Sequence, residues 1–203
     1  MAQEQITKVK KKQWYPIVAP KLFNDAVLGE TLVYEPQSLI GRTLSHSLMN
    51  LTNDMRRQNT SISFRITGID GNRAMTSIIG YYIIPSSVRR LIRRNSEKMD
   101  MSFACDTLDN VHMRVKPLVI TKADVKGSVA AKMRNFIVQH MTKTIKKMNF
   151  EDLMNDIISH KLQSDMRAIL NKIYPIKVCE IRYAGIEELE KPKEAKEIEA
   201  AAE

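Results

Sequence analysis

Between residues 30 and 121, apolar and β-branched residues fall in short alternating runs broken by turn chemistry, and this period-two pattern predicts strands. The predicted strands are Thr31 to Tyr34, Arg42 to Asn50, Ser61 to Ile69, Arg73 to Ile84, Met99 to Leu108 and Val111 to Thr121. Asp70-Gly71-Asn72 gives the clearest hairpin signal, because Asp-Gly readily supplies the positive φ of a tight turn, and Leu108-Asp109-Asn110 gives a second. Closely spaced strands joined by hairpins indicate an antiparallel sheet that closes or curls into a barrel-like core. One short helix interrupts it. Ser86 and Ser87 are placed to cap a segment holding Arg89, Arg90, Leu91, Ile92, Arg93 and Arg94.

After Asp124 the period becomes helical. Val129, Met133, Phe136, Ile137, His140, Met141, Thr144 and Met148 recur at three- and four-residue spacing, which leaves Lys132, Lys143, Lys146 and Lys147 largely outside. Asn149, with Asp152 three residues later, resembles a capping box that opens a second helix through Phe150, Leu153, Met154, Ile157 and Ile158. A third helix carries Leu162, Met166, Ile169, Leu170 and Ile173 and stops at Pro175, and Ile176 to Ala184 reads as a returning strand. The class is therefore α+β: an antiparallel, barrel-like β core with a short inserted helix, then a helical C-terminal segment that returns to a strand. Four segments are expected: a basic arm over 1–13, a β-rich core over 14–122, a helical part with its closing strand over 123–189, and a Glu, Ala and Lys tail over 190–203. Trp14, Tyr15, Pro16 and Pro20 suggest an extended stretch pinned to the body by aromatics.

Charge sharpens the picture. Thirty-two Lys and Arg stand against 23 Asp and Glu in 203 residues, a net charge of +9. Residues 187 to 203 hold seven Glu and three Lys, so the preceding residues carry about +13. Such an excess attracts a polyanion over a Debye length, and nucleic acid is the expected one. No stretch approaches the roughly 18 apolar residues of a membrane span and no cationic apolar leader opens the chain, so it reads as soluble and cytosolic. Cys105 and Cys179 lack metal-ligand spacing and lie in apolar runs, as reduced core residues do.

Catalytic apparatus is not apparent. The sequence has no glycine-rich phosphate loop, paired metal-ligand motif or nucleophile elbow, and its four histidines are dispersed. Acid pairs such as Asp106 with Asp109, and Glu151 with Asp152, flank turns and helix starts, where carboxylates accept amide hydrogen bonds. No cofactor, metal or small-molecule substrate is expected. Most of the twelve methionines sit at core spacing, as packing residues.

A run of charge is ordinarily a solvated face, but like charges one turn apart destabilise a helix by a few tenths of a kcal/mol per pair. A polyanionic partner offsets that repulsion, and arginine forks onto phosphate oxygens and stacks on bases. The residues expected at RNA are therefore Lys8, Lys10, Lys11 and Lys12 of the arm with Trp14, then Arg42, Arg56 and Arg57, the cluster Arg89, Arg90, Arg93 and Arg94, and the helix lysines Lys132, Lys143, Lys146 and Lys147.

Several local patterns, in their order, resemble one family. Trp14-Tyr15 is followed by Ala19-Pro20 and Phe23, then Gly29 with Thr31-Leu32-Val33, then Gly41-Arg42 with Ser47-Leu48 and Leu51; Ile173-Tyr174-Pro175-Ile176 leads through Ile181-Arg182. Over roughly residues 11 to 189 this resembles the eukaryotic-type small-subunit ribosomal protein family S-three-a-e, in newer naming eukaryote-type S-one. The resemblance implies a barrel-like core with a helical C-terminal part on the platform of the small subunit. It also implies contacts with ribosomal RNA near the messenger exit, with neighbouring platform proteins and with messenger RNA there. The long lysine-rich N-terminal and basic C-terminal extensions of eukaryotic members are missing, so the chain looks archaeal. The expected function is a non-catalytic constituent of the small ribosomal subunit in the cytoplasm, contributing to subunit assembly and translation. A free-standing RNA-binding or RNA-chaperone protein is the alternative, and an enzyme acting on nucleic acid is a third class that lacks its acidic metal ligands.

Overall fold

The computed structural model describes residues 11–187, and Lys8, Lys10 and the acidic tail over 190–203 lie outside the described residues. The chain divides into two compact units, one up to Ile79 and one from Gly80.

The first unit opens with β1 (Gln13–Val18) and β2 (Val27–Val33), which run antiparallel from Gln13 opposite Val33 to Val18 opposite Val27. Next come β3 (Thr43–Ser47), the short helix α1 (Leu48–Thr52), β4 (Thr60–Asp70) and β5 (Arg73–Ile83), which passes into the second unit. Alternation decides which face of each strand is buried: Ile62, Phe64 and Ile66 on β4, and Ala74, Thr76 and Ile78 on β5, are all inside. The expected turn joins β4 to β5, with Gly71 at φ +56°. Gly41 also has positive φ, +87°, where its N–H reaches the Ile66 carbonyl at 2.9 Å and aims the chain into β3. β1 lies parallel to β5 through Ile17 opposite Ala74, and the buried Thr76 hydroxyl donates to the Val18 carbonyl at 2.8 Å beside that joint. Phe23 meets Phe64 edge-to-face at 5.9 Å between ring centroids.

The second unit contains α2 (Pro85–Leu91), β6 (Lys98–Asp100), β7 (Phe103–Asp106) and β8 (His112–Thr121), then α3 (Gly127–Ile145), α4 (Phe150–Ile158), α5 (Lys161–Leu170) and β9 (Ile176–Ile186). β9 pairs antiparallel with the end of β5 on one side and with β8 on the other, and β8 in turn pairs with β6 and β7. The apolar stripes of the helices are buried: Met133, Ile137, Met141 and Ile145 on α3, Leu153, Met154 and Ile157 on α4, and Leu162, Met166 and Leu170 on α5. A small interior space is enclosed where Ile137 and Met141, with Leu162 and Met166, meet Val119 and Ile181 of the sheet.

Five expectations are corrected. The sheet is open and mixed rather than barrel-like: among the described strands β2 pairs with β1 alone, β3 with β4 alone, and β6 and β7 each with β8 alone. The strand expected over Arg42 to Asn50 ends at Ser47, because Leu48 turns inward as the first residue of α1 and is fully buried. The strand expected over Met99 to Leu108 is two strands. They meet β8 on either side of Pro117, which has no N–H for the ladder. Ser86 and Ser87 lie inside α2, whose first residue is Pro85, and no side chain caps it; α2 ends at Leu91, leaving Arg93 and Arg94 in the following loop. Finally, Asn149 makes no side-chain cap at α4. Asp109 takes that role from 41 residues before Phe150: its Oδ2 accepts the Phe150 N–H at 3.0 Å.

Candidate nucleic-acid interface

Pro117 shapes a cleft of the second unit. Lys116 stands opposite Tyr183, but Pro117 stands opposite Ile181, so Arg182 is an extra residue on β9. Such a bulge bends the strand and re-aims side chains that strict alternation would send to opposite faces. Arg182 and Tyr183 consequently both line one cleft of about 510 Å³. Tyr82 of β5, opposite Tyr183 in the β5–β9 ladder, and Lys116 of β8 continue the row, so three adjacent strands present Tyr82, Tyr183 and Lys116 side by side. Arg89 of α2 and Lys98 of β6 complete the rim, while Pro85, Val88 and Ile92 form an apolar wall.

Four cations thus face one recess whose described lining has no carboxylate. Asp100 stands at its margin, paired with Lys98 and 3.8 Å from the Arg182 guanidinium, and offsets part of that charge. The Lys116 ammonium lies 5.0 Å from the centroid of the Tyr183 ring, a cation–π contact that keeps positive charge against the aromatic floor. Weakly countered cations around a concave aromatic surface attract an anion that also offers a flat π face.

In the first unit, Lys11 and Lys12 are exposed; the Lys12 ammonium sits 5.1 Å from the centre of the Tyr34 ring, and Arg42 lines the same shallow groove while its Nε donates to the Ser38 carbonyl at 3.0 Å. Trp14 is 59% exposed, so the aromatic that pins this stretch inward is the buried Tyr15. Arg56 is exposed, whereas Arg57 pairs with Asp54 at 3.3 Å. In the second unit Arg89 reaches the cleft rim; Arg90, Arg93 and Arg94 are exposed, as are Lys132, Lys143, Lys146 and Lys147. The structure therefore brings Lys12 together with Arg42, and Arg89 together with three cations absent from the sequence expectation: Lys98, Lys116 and Arg182. The missed signal was faint, a lone Lys116 beside a mid-strand proline and an Arg-Tyr pair on the partner strand.

Other titratable groups have structural surroundings. Glu180 on β9 is pushed up to about 7 by burial, with Arg167 pulling the other way, and its Oε2 lies 3.5 Å from His160 Nδ1. Burial also raises the thiols of Cys105 and Cys179, to about 11 and about 12, so neither ionises readily, and both cysteines are free. His112 bonds Asp106 at 2.6 Å, and His140 stacks on Phe136 at 5.8 Å. The Glu187 carboxyl is held below the usual range because Arg114 donates to it at 2.8 Å. Among the described residues no three His, Cys, Asp or Glu side chains gather where a metal could be held, and no helix is long and apolar enough to cross a membrane.

Comparison with known proteins gives a consistent result. The profile of the ribosomal S3Ae family matches residues 2–189. The small ribosomal subunit protein eS1 of Methanothermobacter thermautotrophicus is 33% identical over 172 residues, spanning 85% of this chain and 88% of that protein. Its counterpart in Desulfurococcus amylolyticus is 31% identical over 174 residues, 86% of this chain and 82% of that one. The Saccharolobus islandicus protein of the same name is 32% identical over 174 residues, 86% and 84% of the two chains.

Proposed function

The chain belongs to the ribosomal S3Ae family, and from that premise we propose that its cation-lined cleft and basic faces bind ribosomal RNA. The coarser role follows from the family: a structural constituent of the small ribosomal subunit in the cytoplasm, and not an enzyme. The observation that supports RNA as the direct partner is the convergence of Arg89, Lys98, Lys116 and Arg182 on one recess. Cations placed this way neutralise phosphates and fix register without reading sequence. Lys12 with Arg42 in the first unit, and the exposed lysines of α3 and its C-terminal end, form further phosphate contacts in this reading. The place on the subunit is the platform near the messenger exit that the resemblance implies, beside neighbouring ribosomal proteins and with messenger RNA within reach. There the protein holds RNA tertiary structure during assembly.

Tagged full-length protein is sedimented from lysate through a series of salt washes. Wild type is expected to stay with small subunits after a high-salt wash, and a variant with Arg89, Lys98, Lys116 and Arg182 changed to Gln is expected to dissociate at lower salt. Equal retention of the two proteins at every salt concentration removes the cleft from the RNA surface.

A further inference from the structure

Phosphate neutralisation accounts for the cations of the cleft but not for its floor. Tyr82 and Tyr183 are a directly opposed cross-strand pair, both half-buried, and both open into the same recess as the four cations. We propose that this cleft receives a single unpaired nucleotide of RNA, its base stacked on the Tyr82 and Tyr183 surface and its phosphates held by Arg89, Lys98, Lys116 and Arg182. The inference rests on the RNA reading above and adds to it the form of the ligand.

Shape and chemistry argue together. The cleft is open to solvent on one side, and its volume of about 510 Å³ is ample for one nucleotide. A double helix offers phosphates and a shallow minor groove, and its bases are stacked on one another; only a base swung out of the helix reaches a recessed aromatic floor. The bulge at Arg182 supports this, because it puts a guanidinium next to Tyr183 on the same side of the sheet, where it serves either phosphate or base. Lys116 already stands against the Tyr183 ring, so a base that lands there meets a cation within reach of its own phosphate. A purely structural role for the tyrosines, as strand-forming residues that pack across the ladder, predicts that valine serves as well as phenylalanine.

The test uses two RNA hairpins of identical sequence and phosphate number: one extrudes a single adenosine from its stem, and the other has an abasic ribose at that position. Full-length wild-type protein is expected to bind the adenosine hairpin roughly five- to a hundredfold more tightly, the range that stacking one base supplies. Changing both tyrosines to Phe is expected to preserve the ratio. Changing both to Val is expected to bring it to one, the ratio rather than the absolute affinity being the readout because Tyr183→Val also frees Lys116 from its ring contact, with circular dichroism confirming that each variant is folded. Equal binding of the two hairpins by wild type overturns the nucleotide site and leaves the phosphate reading intact; binding of neither at low salt overturns both. Retention of the ratio in the Val variant overturns the role of the tyrosines. An acidic protein segment is the rival occupant, and polyglutamate that binds in a Tyr-dependent manner, and displaces neither hairpin from wild type, decides for it and against the nucleotide.

Discussion

Arg182 is the residue left over on β9 where Pro117 on β8 cannot donate to the ladder, and the slip in register turns the arginine toward Tyr183 and the cleft. A proline in the middle of a paired strand is tolerated at such an irregularity. Here it also places a charge that strict alternation would have sent away.

The four cations of the cleft should act as a unit in RNA binding. With Asp100 offsetting about one of them, changing Arg89, Lys98, Lys116 and Arg182 to Gln should make the slope of log affinity against log salt shallower by about two to three, at roughly 0.7 to 0.9 per lost phosphate contact. A fluorescence titration at several salt concentrations measures it. An unchanged slope means that these side chains are solvated in the complex.

Glu180 should give the fold a pH dependence. Burial raises its carboxyl from 4.5 to about 7, so the folded state holds the proton more tightly than the unfolded chain. Its contribution is present in full below about 4.5, falls as pH rises, and is lost above about 7. Glu180→Gln should therefore raise the melting temperature at pH 8 and leave it nearly unchanged at pH 4. The gain at pH 8 should be on the order of 1–2 kcal/mol, less than the shift alone implies at about 1.4 kcal/mol per unit, because the side chain is 28% exposed and lies beside His160. Thermal melts at the two pH values check the sign; a gain confined to acid would contradict it.

Asp109 ties the turn before β8 to the start of α4 through the Phe150 N–H. Asp109→Ala should cost about 1 kcal/mol in urea denaturation, the usual value of an N-terminal cap, and Asp109→Asn should recover most of it because the amide oxygen still accepts. Asn149→Ala should have little effect, since that side chain makes no cap bond.

Gly80 faces Gly185 across the β5–β9 ladder, and a Cβ at position 80 would lie 3.0 Å from the Ala184 carbonyl oxygen and 3.1 Å from the Gly185 Cα. Both neighbours are backbone and cannot swing aside. Gly80→Ala should destabilise the protein by roughly 1–3 kcal/mol and, by parting the strands that pair Tyr82 with Tyr183, weaken RNA binding as well. Denaturation and RNA titration on this variant should move together.

By itself the sequence determined the elements whose cause is local. Period-two alternation set β4, β5, β8 and β9, the 3.6-residue stripe set α3 to α5, Asp70-Gly71 made the turn before β5, and ordered short patterns pointed to the ribosomal family. It also determined that the excess charge is positive and that Arg89 stands on a helix. What only the tertiary structure decided depends on pairing between distant segments. Whether the sheet closes is a matter of which edges find partners, and β2, β3, β6 and β7 each find one strand among those described. The cap of α4 comes from Asp109, beyond the reach of a local motif. The cleft is the fullest case: Tyr82, Lys116 and Tyr183 lie on three strands and meet through cross-strand register, while Arg182 joins them because a proline 65 residues earlier breaks that register. Spacing along a chain encodes the face a residue occupies within its own element, but the neighbour across a ladder is set only when the strands come together.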